Sequence, residues 1–311
     1  MNPYVVCIGA TILDITGFTP GPLILGDKNS DGFVALSSGG AARNIAENLA
    51  RMGVDTKLLT VLGDDAFGAK IRADGEAAGI DMGHLDIIPG RVSPTYLALI
   101  DGDGVLSAGV TDLHICEEYT VAYFQREIET IRGAAMVVMT PEIPDECLRY
   151  LHAECPEVPI MVDVAAVGLA EYVKRNFGVY HTIKANNYEV QALTGIDPTD
   201  DKAMHEAADY LIDRGTTCCI FTVGEGGLFY KDSSGKVIRT ATKPLEKVVS
   251  ATGAGDAVTA GYVWSVLNGK DVQYALNLGM GAAMVALSYE KANDPNLSPE
   301  RAYEAFLAHK L

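Results

Sequence analysis

Short apolar runs rich in Val and Ile recur along the chain: "YVVCIG" (4–9), "KLLTVLG" (57–63), "AMVVM" (135–139), "VPIMVDV" (158–164), "HTIKA" (181–185) and "CCIFTV" (218–223). Runs of this length with no polar alternation predict strands buried on both faces. Between them, steps of three and four place Ala42, Ile45, Ala46, Leu49 and Met52 on one side of a helix over 42–52, and 201–214 carries a second helical pattern. Strands alternating with helices predict an α/β fold: a central, mainly parallel sheet flanked by helices, with ligands at the carboxyl ends of its strands. The stretch 254–309 reads as helices only. Two segments break the rhythm, 11–38 and 91–112. The second, "RVSPTYLALIDGDGVLSAGVTD", has apolar residues on either side of a Gly-Asp-Gly turn and predicts a β-hairpin, so together the two segments could form a small sheet covering the site. No repeat, low-complexity tract or Pro-rich linker divides the chain, and 1–311 reads as one domain.

Charge narrows the class of partner. The formal net charge of -17, with no basic run, argues against nucleic acid and anionic membranes, which are bound through clustered Lys and Arg. Small anionic ligands remain open if a local site is electropositive. The six cysteines form no CxxC and have no ligand-like spacing with the histidines, and Cys7, Cys218 and Cys219 lie in strand-like runs, which predicts reduced core thiols. The start "MNPYVVCIGATILD" lacks the basic and apolar regions of a signal peptide, and no later run reaches the ~18 apolar residues of a membrane span. A cytoplasmic protein is expected.

Two glycine-opened helix starts carry the candidate chemistry. In "SATGAGDAVTAGY" (250–262), Gly253 and Gly255 let the backbone come close to a ligand where a helix amino terminus would present free N–H groups to an anion. An acidic residue in such a place, Asp256, has either a capping or a chemical task. In "GGAARNIAENLARMG" (39–53) the polar Arg43 and Asn44 fall in the first turn. Each stretch alone is compatible with an ordinary helix start, whereas a carboxylate in one and an amide in the other suggest a two-substrate site.

At these residues the sequence resembles the PfkB or ribokinase-like family of ATP-dependent sugar and nucleoside kinases. The likeness spans nearly the whole chain in order: Gly9 and Asp14, "GGAARN", "NNYE" (186–189), "TVGEGG" (222–227) and "TGAGDA" (252–257). The resemblance implies a ribokinase-like fold with a small β-sheet lid, and it implies roles. Asp256 matches the catalytic base, and Gly253, Ala254 and Gly255 match the anion hole around the γ-phosphoryl group, in keeping with the need of phosphoryl transfer for fixed donors and positioning. Asn186 and Glu189 match an N-x-x-E element that holds Mg²⁺; a capping box is the other reading of that spacing. Thr222, Gly224 and Gly227 match a loop along ATP, and the apolar 279–283, with Gly279 and Met280, matches a wall against adenine. Asp14, Gly39, Gly40, Arg43 and Asn44 match acceptor contacts. Glu142 in "MTPEIP" stands where ribokinases carry a ribose-contacting Glu, with a plain surface Glu as the alternative.

Within the family the Gly-Gly-x-x-Arg-Asn motif and the hairpin are similar to those of pseudouridine kinases, which would turn Thr111 and Asp112 toward the base or the ribose. Those kinases commonly show a Ser and a Lys after the "VD" strand end, where this chain has Ala166 and Leu169. Ser250 replaces the Asp that opens the last motif of many ribokinases, which argues against a monovalent-cation requirement. A homodimer through the lid is expected. A dinucleotide-dependent oxidoreductase is disfavoured because Val258 occupies the place of the third fingerprint glycine. A silent sugar-binding sensor would have lost Asp256 or the Asn186–Glu189 pair.

Overall fold

The computed structural model describes residues 3–29 and 31–311; Met1 and Asn2 of the amino-terminal stretch and Ser30 of the segment 11–38 lie outside the described residues. Its strands are β1 (Tyr4–Ile8), β2 (Ile12–Phe18), β3 (Phe33–Gly39), β4 (Asp55–Leu59), β5 (Val61–Gly63), β6 (Asp86–Ile88), β7 (Thr95–Ile100), β8 (Leu106–Asp112), β9 (Met136–Met139), β10 (Ile160–Asp163), β11 (Thr182–Asn186), β12 (Cys218–Thr222), β13 (Leu228–Asp232) and β14 (Val237–Thr240). The helices are α1 (Ala41–Arg51), α2 (Ala66–Ala77), α3 (Val121–Arg132), α4 (Asp145–Glu154), α5 (Ala170–Arg175), α6 (Asn187–Thr194), α7 (Asp201–Ile212), α8 (Ala254–Leu267), α9 (Val272–Leu287) and α10 (Pro299–His309).

The main sheet runs β14-β13-β12-β11-β10-β9-β1-β4. Its six strands from β12 to β4 are parallel, and β13 and β14 close one edge as an antiparallel hairpin. Strict alternation along each strand divides the core in two. Val6, Ile8, Val137, Met139, Val162, Ile183 and Phe221 face α3 to α7, whereas Val5, Cys7, Val138, Met161 and Ile220 face α1, α8, α9 and α10. Both faces are therefore buried, which is why the strands read as unbroken apolar runs. All six cysteines are free and buried.

The small sheet has the order β3-β2-β7-β8, built from the two interrupting segments. Its pairing sets Asp14 beside Ser37 and Tyr96, and Tyr96 beside Thr111, so these four share one face. At its base, Leu13 on the opposite face is buried against Leu62 and Ile71 of the body.

The predicted strand 57–63 is two strands. Leu59 ends its pairing with β1, and after Thr60 the chain turns to pair β5 with β6. The Thr60 carbonyl accepts from the Asp86 N–H at that corner.

Candidate active site

The helices α1 and α8 meet with their amino ends beside the carboxyl ends of the central strands. Gly40 caps α1 at φ 91°, and a Cβ there would lie 2.5 Å from the Ala10 carbonyl oxygen. A Cβ on Gly39 would strike the Asp14 carboxylate. The two glycines thus let β3 turn directly into α1 against the β1–β2 connection, and this turn delivers the next residues to the cleft. Asn44 donates from Nδ2 to Asp256 Oδ2 at 2.9 Å, leaving its buried Oδ1 without a partner. Arg43 gives Nη1 to the Ser38 carbonyl at 3.1 Å and Nη2 to Glu47 at 2.8 Å, and its buried Nε is also unpartnered. Asn293 clamps the start of α1, donating to the Asn44 carbonyl and to Asn48 Oδ1, both at 2.9 Å.

Gly253 caps α8 in the left-handed conformation at φ 82°, and no side chain caps this helix. Asp256, in its first turn, therefore does no capping. Its carboxylate is turned to Asn44 across the cleft, and the leading N–H groups of α8 stay free for an anion. Burial first, and then the neighbouring Asp163, push the Asp256 carboxyl up to about 7, with Lys184 and the Asn44 hydrogen bond pulling the other way. A carboxylate poised near neutrality is suited to accept a proton. Asp14, half-buried, is likewise raised to about 6 by burial, against the pull of Arg43.

Beneath α8 lies a pair that the motif reading did not single out. Asp163 ends β10 and Lys184 sits opposite it on β11, both almost fully buried, with Nζ 3.1 Å from each carboxylate oxygen. Thr259 of α8 donates to Asp163 Oδ2 at 2.8 Å. The signal was present: "HTIKA" and "VPIMVDV" each put one charge into a strand buried on both faces, and such a charge must be paired or used.

Asn186 caps α6 in a full capping box. Its Oδ1 accepts from the Glu189 N–H at 3.0 Å, and the Glu189 carboxylate accepts from the Asn186 N–H and from Nδ2, both at 2.7 Å. Glu142, in the loop between β9 and α4, has a buried Oε2 without a partner among the described residues and a carboxyl raised by burial. It borders a cavity of about 420 Å³ whose other walls include Leu113, His114, Ile143, Leu169 and Tyr172.

The sequence profile described as "pfkB family carbohydrate kinase" matches residues 2–299. The chain belongs to this family. Among curated relatives it is 30% identical to the pseudouridine kinase of Escherichia coli strain K12 over 296 residues, 95% of this chain and 94% of that one. It is 27% identical to the guanosine-inosine kinase of Exiguobacterium acetylicum over 308 residues, covering 96% and 98%. Arabidopsis thaliana ribokinase, solved in complex with ribose and ATP, superposes with a TM-score of 0.86 over 98% of this chain and 99% of that one at 20% identity. The chain is thus a pfkB-family kinase with a ribokinase-like fold, and kinases of this family use ATP.

The remaining predicted residues fall into three groups. Thr222 ends β12, and Gly224 at φ 55° and Gly227 at φ 85° frame the turn that follows; a Cβ on Gly227 would strike the Thr240 carbonyl. These three share the strand edge that carries Asn186 and Asp163. Gly279 and Met280 lie on α9 and pack within the body. Gly279 lets α9 approach α8, its Cα 2.8 Å from where a Cβ on Gly261 would lie, and Met280 is buried in the core. Thr111 shares the face of Asp14, whereas its neighbour Asp112 pairs with Thr95 on the opposite face and is bound to His114 through the His114 N–H at 3.1 Å and Nδ1 at 2.7 Å. The strand's pleat thus puts Thr111, and not Asp112, on the side of Asp14.

Among the described residues, no helix is long and apolar enough to cross a membrane.

Proposed function

We propose that this kinase transfers the γ-phosphoryl group of ATP to the 5′-hydroxyl of a nucleoside, with pseudouridine as the leading acceptor. The hydrogen bond between Asn44 and Asp256 at the uncapped start of α8 carries the reading, because it sets an available carboxylate beside free N–H donors. The acceptor oxygen attacks phosphorus, the bond from phosphorus to the bridging oxygen of ADP breaks, and the hydroxyl proton passes to Asp256. The spreading negative charge falls on the N–H groups at Gly253, Ala254 and Gly255. The unpartnered Asn44 Oδ1 and Arg43 Nε, with Asp14 nearby, suit a polyhydroxylated acceptor.

A nucleoside is favoured over a free sugar by two observations. The cavity beside Glu142 has apolar and aromatic walls suited to a flat ring, and two of the relatives are named for nucleosides. Ribose is the second reading, because neither Ala166 nor Leu169 can hydrogen-bond a base through its side chain. ADP release measured with ATP and Mg²⁺ against pseudouridine, uridine, guanosine, inosine, ribose and fructose decides between them. The expected order has pseudouridine first in kcat/KM, and a preference for ribose of tenfold or more overturns the nucleoside reading.

Magnesium fits the oxygen donors of Asn186 and Glu189, which would hold it through water because their direct hydrogen bonds are spent on the capping box. When bound, the ion offsets charge on the triphosphate.

The segments 11–38 and 91–112 form the lid in this reading, with Asp14, Ser37, Tyr96 and Thr111 toward the acceptor. The other face carries Ile15, Leu36, Leu97 and Val110 in one cross-strand row, and Leu36, Leu97 and Val110 are exposed. Such a row calls for a covering surface, here a second copy of the chain. Sedimentation velocity should give a dimer that Val110→Lys converts to monomer; a monomeric wild type rejects this interface.

A further inference from the structure

We propose that Lys184 is a catalytic residue of this kinase, donating a hydrogen bond from its ammonium to an oxygen of the phosphoryl group in transfer. The inference rests on the kinase reading of the cleft and adds a charge that the family motifs in this sequence do not supply.

Its placement follows from strand parity. Ile183 and Ala185 point into the core against α6 and α7, so Lys184 points to the side of α1 and α8. Met161 shows the same parity on β10, and Asp163, two residues on, faces α8 as well. The register pairs Asp163 with Lys184, and the ion pair follows. A buried pair of this kind adds little stability over two packed apolar residues. Its presence between two buried strands with no other charged residue asks for a use.

The hydrogen bonds show where spare capacity lies. Asp163 is well supplied, accepting from Lys184, from the Thr259 hydroxyl at 2.8 Å and from the Ala165 N–H at 3.2 Å. Ala165 adopts φ 62°, a left-handed conformation unusual for a residue with a side chain, in the turn that supplies this bond. An ammonium has three N–H groups, and among the described residues the side-chain hydrogen bonds of Lys184 go to Asp163. Nζ also lies hard against the start of α8, only 2.6 Å from where a Cβ on Gly255 would be. A Cβ at Gly255 would thus press on the end of the lysine side chain.

A cation at a helix amino terminus opposes the helix dipole, which favours negative charge there. Here the strand places one at that end, while the Asp256 carboxylate is engaged with Asn44. The ammonium and the open N–H groups of α8 converge on one spot, where the Asp163, Glu189 and Asp256 carboxyls also bear on Lys184, and a phosphoryl oxygen there would accept from both sets of donors. As the bond from phosphorus to the ADP oxygen breaks and the bond to the acceptor oxygen forms, negative charge spreads over the equatorial oxygens, and Lys184 offers a fixed donor to one of them. Its own proton stays on nitrogen, and the hydroxyl proton goes to Asp256. Asp163, locked by Thr259, is the positioning residue that keeps the ammonium aimed.

The test compares wild type with Lys184→Met, Lys184→Ala and the double variant Asp163→Asn/Lys184→Met, in which neither member of the ion pair is left charged without the other. Activity of the wild type establishes the kinase reading first; if it consumes no ATP with any acceptor, that reading fails and this one with it. Given activity, Lys184→Met should lose ~10²–10³-fold in kcat. Its Kd for ATP should rise about tenfold or more, with the Kd for ADP changed less than ~3-fold, because only ATP carries the phosphoryl group that Lys184 contacts. Added n-propylammonium should restore at least ~10-fold of the turnover of Lys184→Ala, and the double variant should stay inactive while folding normally. A double variant within ~3-fold of wild-type kcat, equal losses of ATP and ADP affinity, or no amine rescue in a folded Lys184→Ala protein would each show the ion pair to be structural and overturn the proposal.

Discussion

Asp256→Asn is expected to fold, to bind nucleotide and acceptor, and to turn over ~10²–10⁴-fold more slowly than wild type, the usual cost of removing a general base. The amide can keep the contact with Asn44, since one side-chain oxygen suffices to accept from Nδ2, and α8 loses no cap because Asp256 provides none. The loss should thus fall on kcat rather than on KM. Burial and the nearby Asp163 raise the wild-type carboxyl to about 7, so kcat/KM should climb as pH rises toward that value and then level off, while the variant shows no such limb. Stability should move the opposite way. The folded protein keeps this proton to higher pH than an unfolded Asp of pKa ~3.9 does, so wild-type stability falls as pH rises from about 4 to about 7. The variant escapes that fall, and its advantage in unfolding free energy should grow by on the order of 1–3 kcal/mol between pH 5 and pH 8. A variant with more than half the wild-type kcat, or a wild type whose kcat/KM is flat through neutral pH, removes Asp256 from the chemical step.

The two helix starts at the heart of the site were legible because their signal is local. Gly-Gly and Gly-x-Gly followed by an apolar period give both the turn and the helix, and the structure brings Asn44 and Asp256 to hydrogen-bonding distance from opposite ends of the chain. The parallel body was legible for the same reason: runs buried on both faces have little polar alternation to obscure them. What escaped depends on partners far away in sequence. The strand 57–63 divides where its second half leaves β1 to pair with β6, and the β13–β14 hairpin at the sheet edge has no apolar run as marked as those of the centre. Asp163 and Lys184 become a site only when register sets them side by side. Asp112 illustrates a finer limit. Whether it or Thr111 faces Asp14 turns on a single step of pleat, and a one-residue uncertainty in where β8 pairs exchanges their roles.

Glu189→Ala separates the two meanings of the N-x-x-E spacing, which the structure shows in its capping form. If the residue only closes the capping box, its loss frees the N–H of Asn186 and should lower stability by about 0.5–2 kcal/mol, with activity unchanged once the protein is folded. If it also holds magnesium through water, the same change should raise the Mg²⁺ concentration for half-maximal rate by ~10–100-fold, the usual size of an outer-sphere defect. We expect both effects together. Glu189 is almost completely buried at the strand edge that leads to Asp163 and Lys184, and burial raises its carboxyl despite the nearby ammonium. A buried acid in this setting is an expensive way to cap a helix that a Ser or Asp at the cap could close from the surface. Thermal melts at fixed pH and rates across a Mg²⁺ titration, at saturating ATP and acceptor, read the two effects separately. A lower melting temperature with an unchanged Mg²⁺ midpoint would return Glu189 to the helix alone and leave the triphosphate charge to Lys184 and the N–H groups of α8.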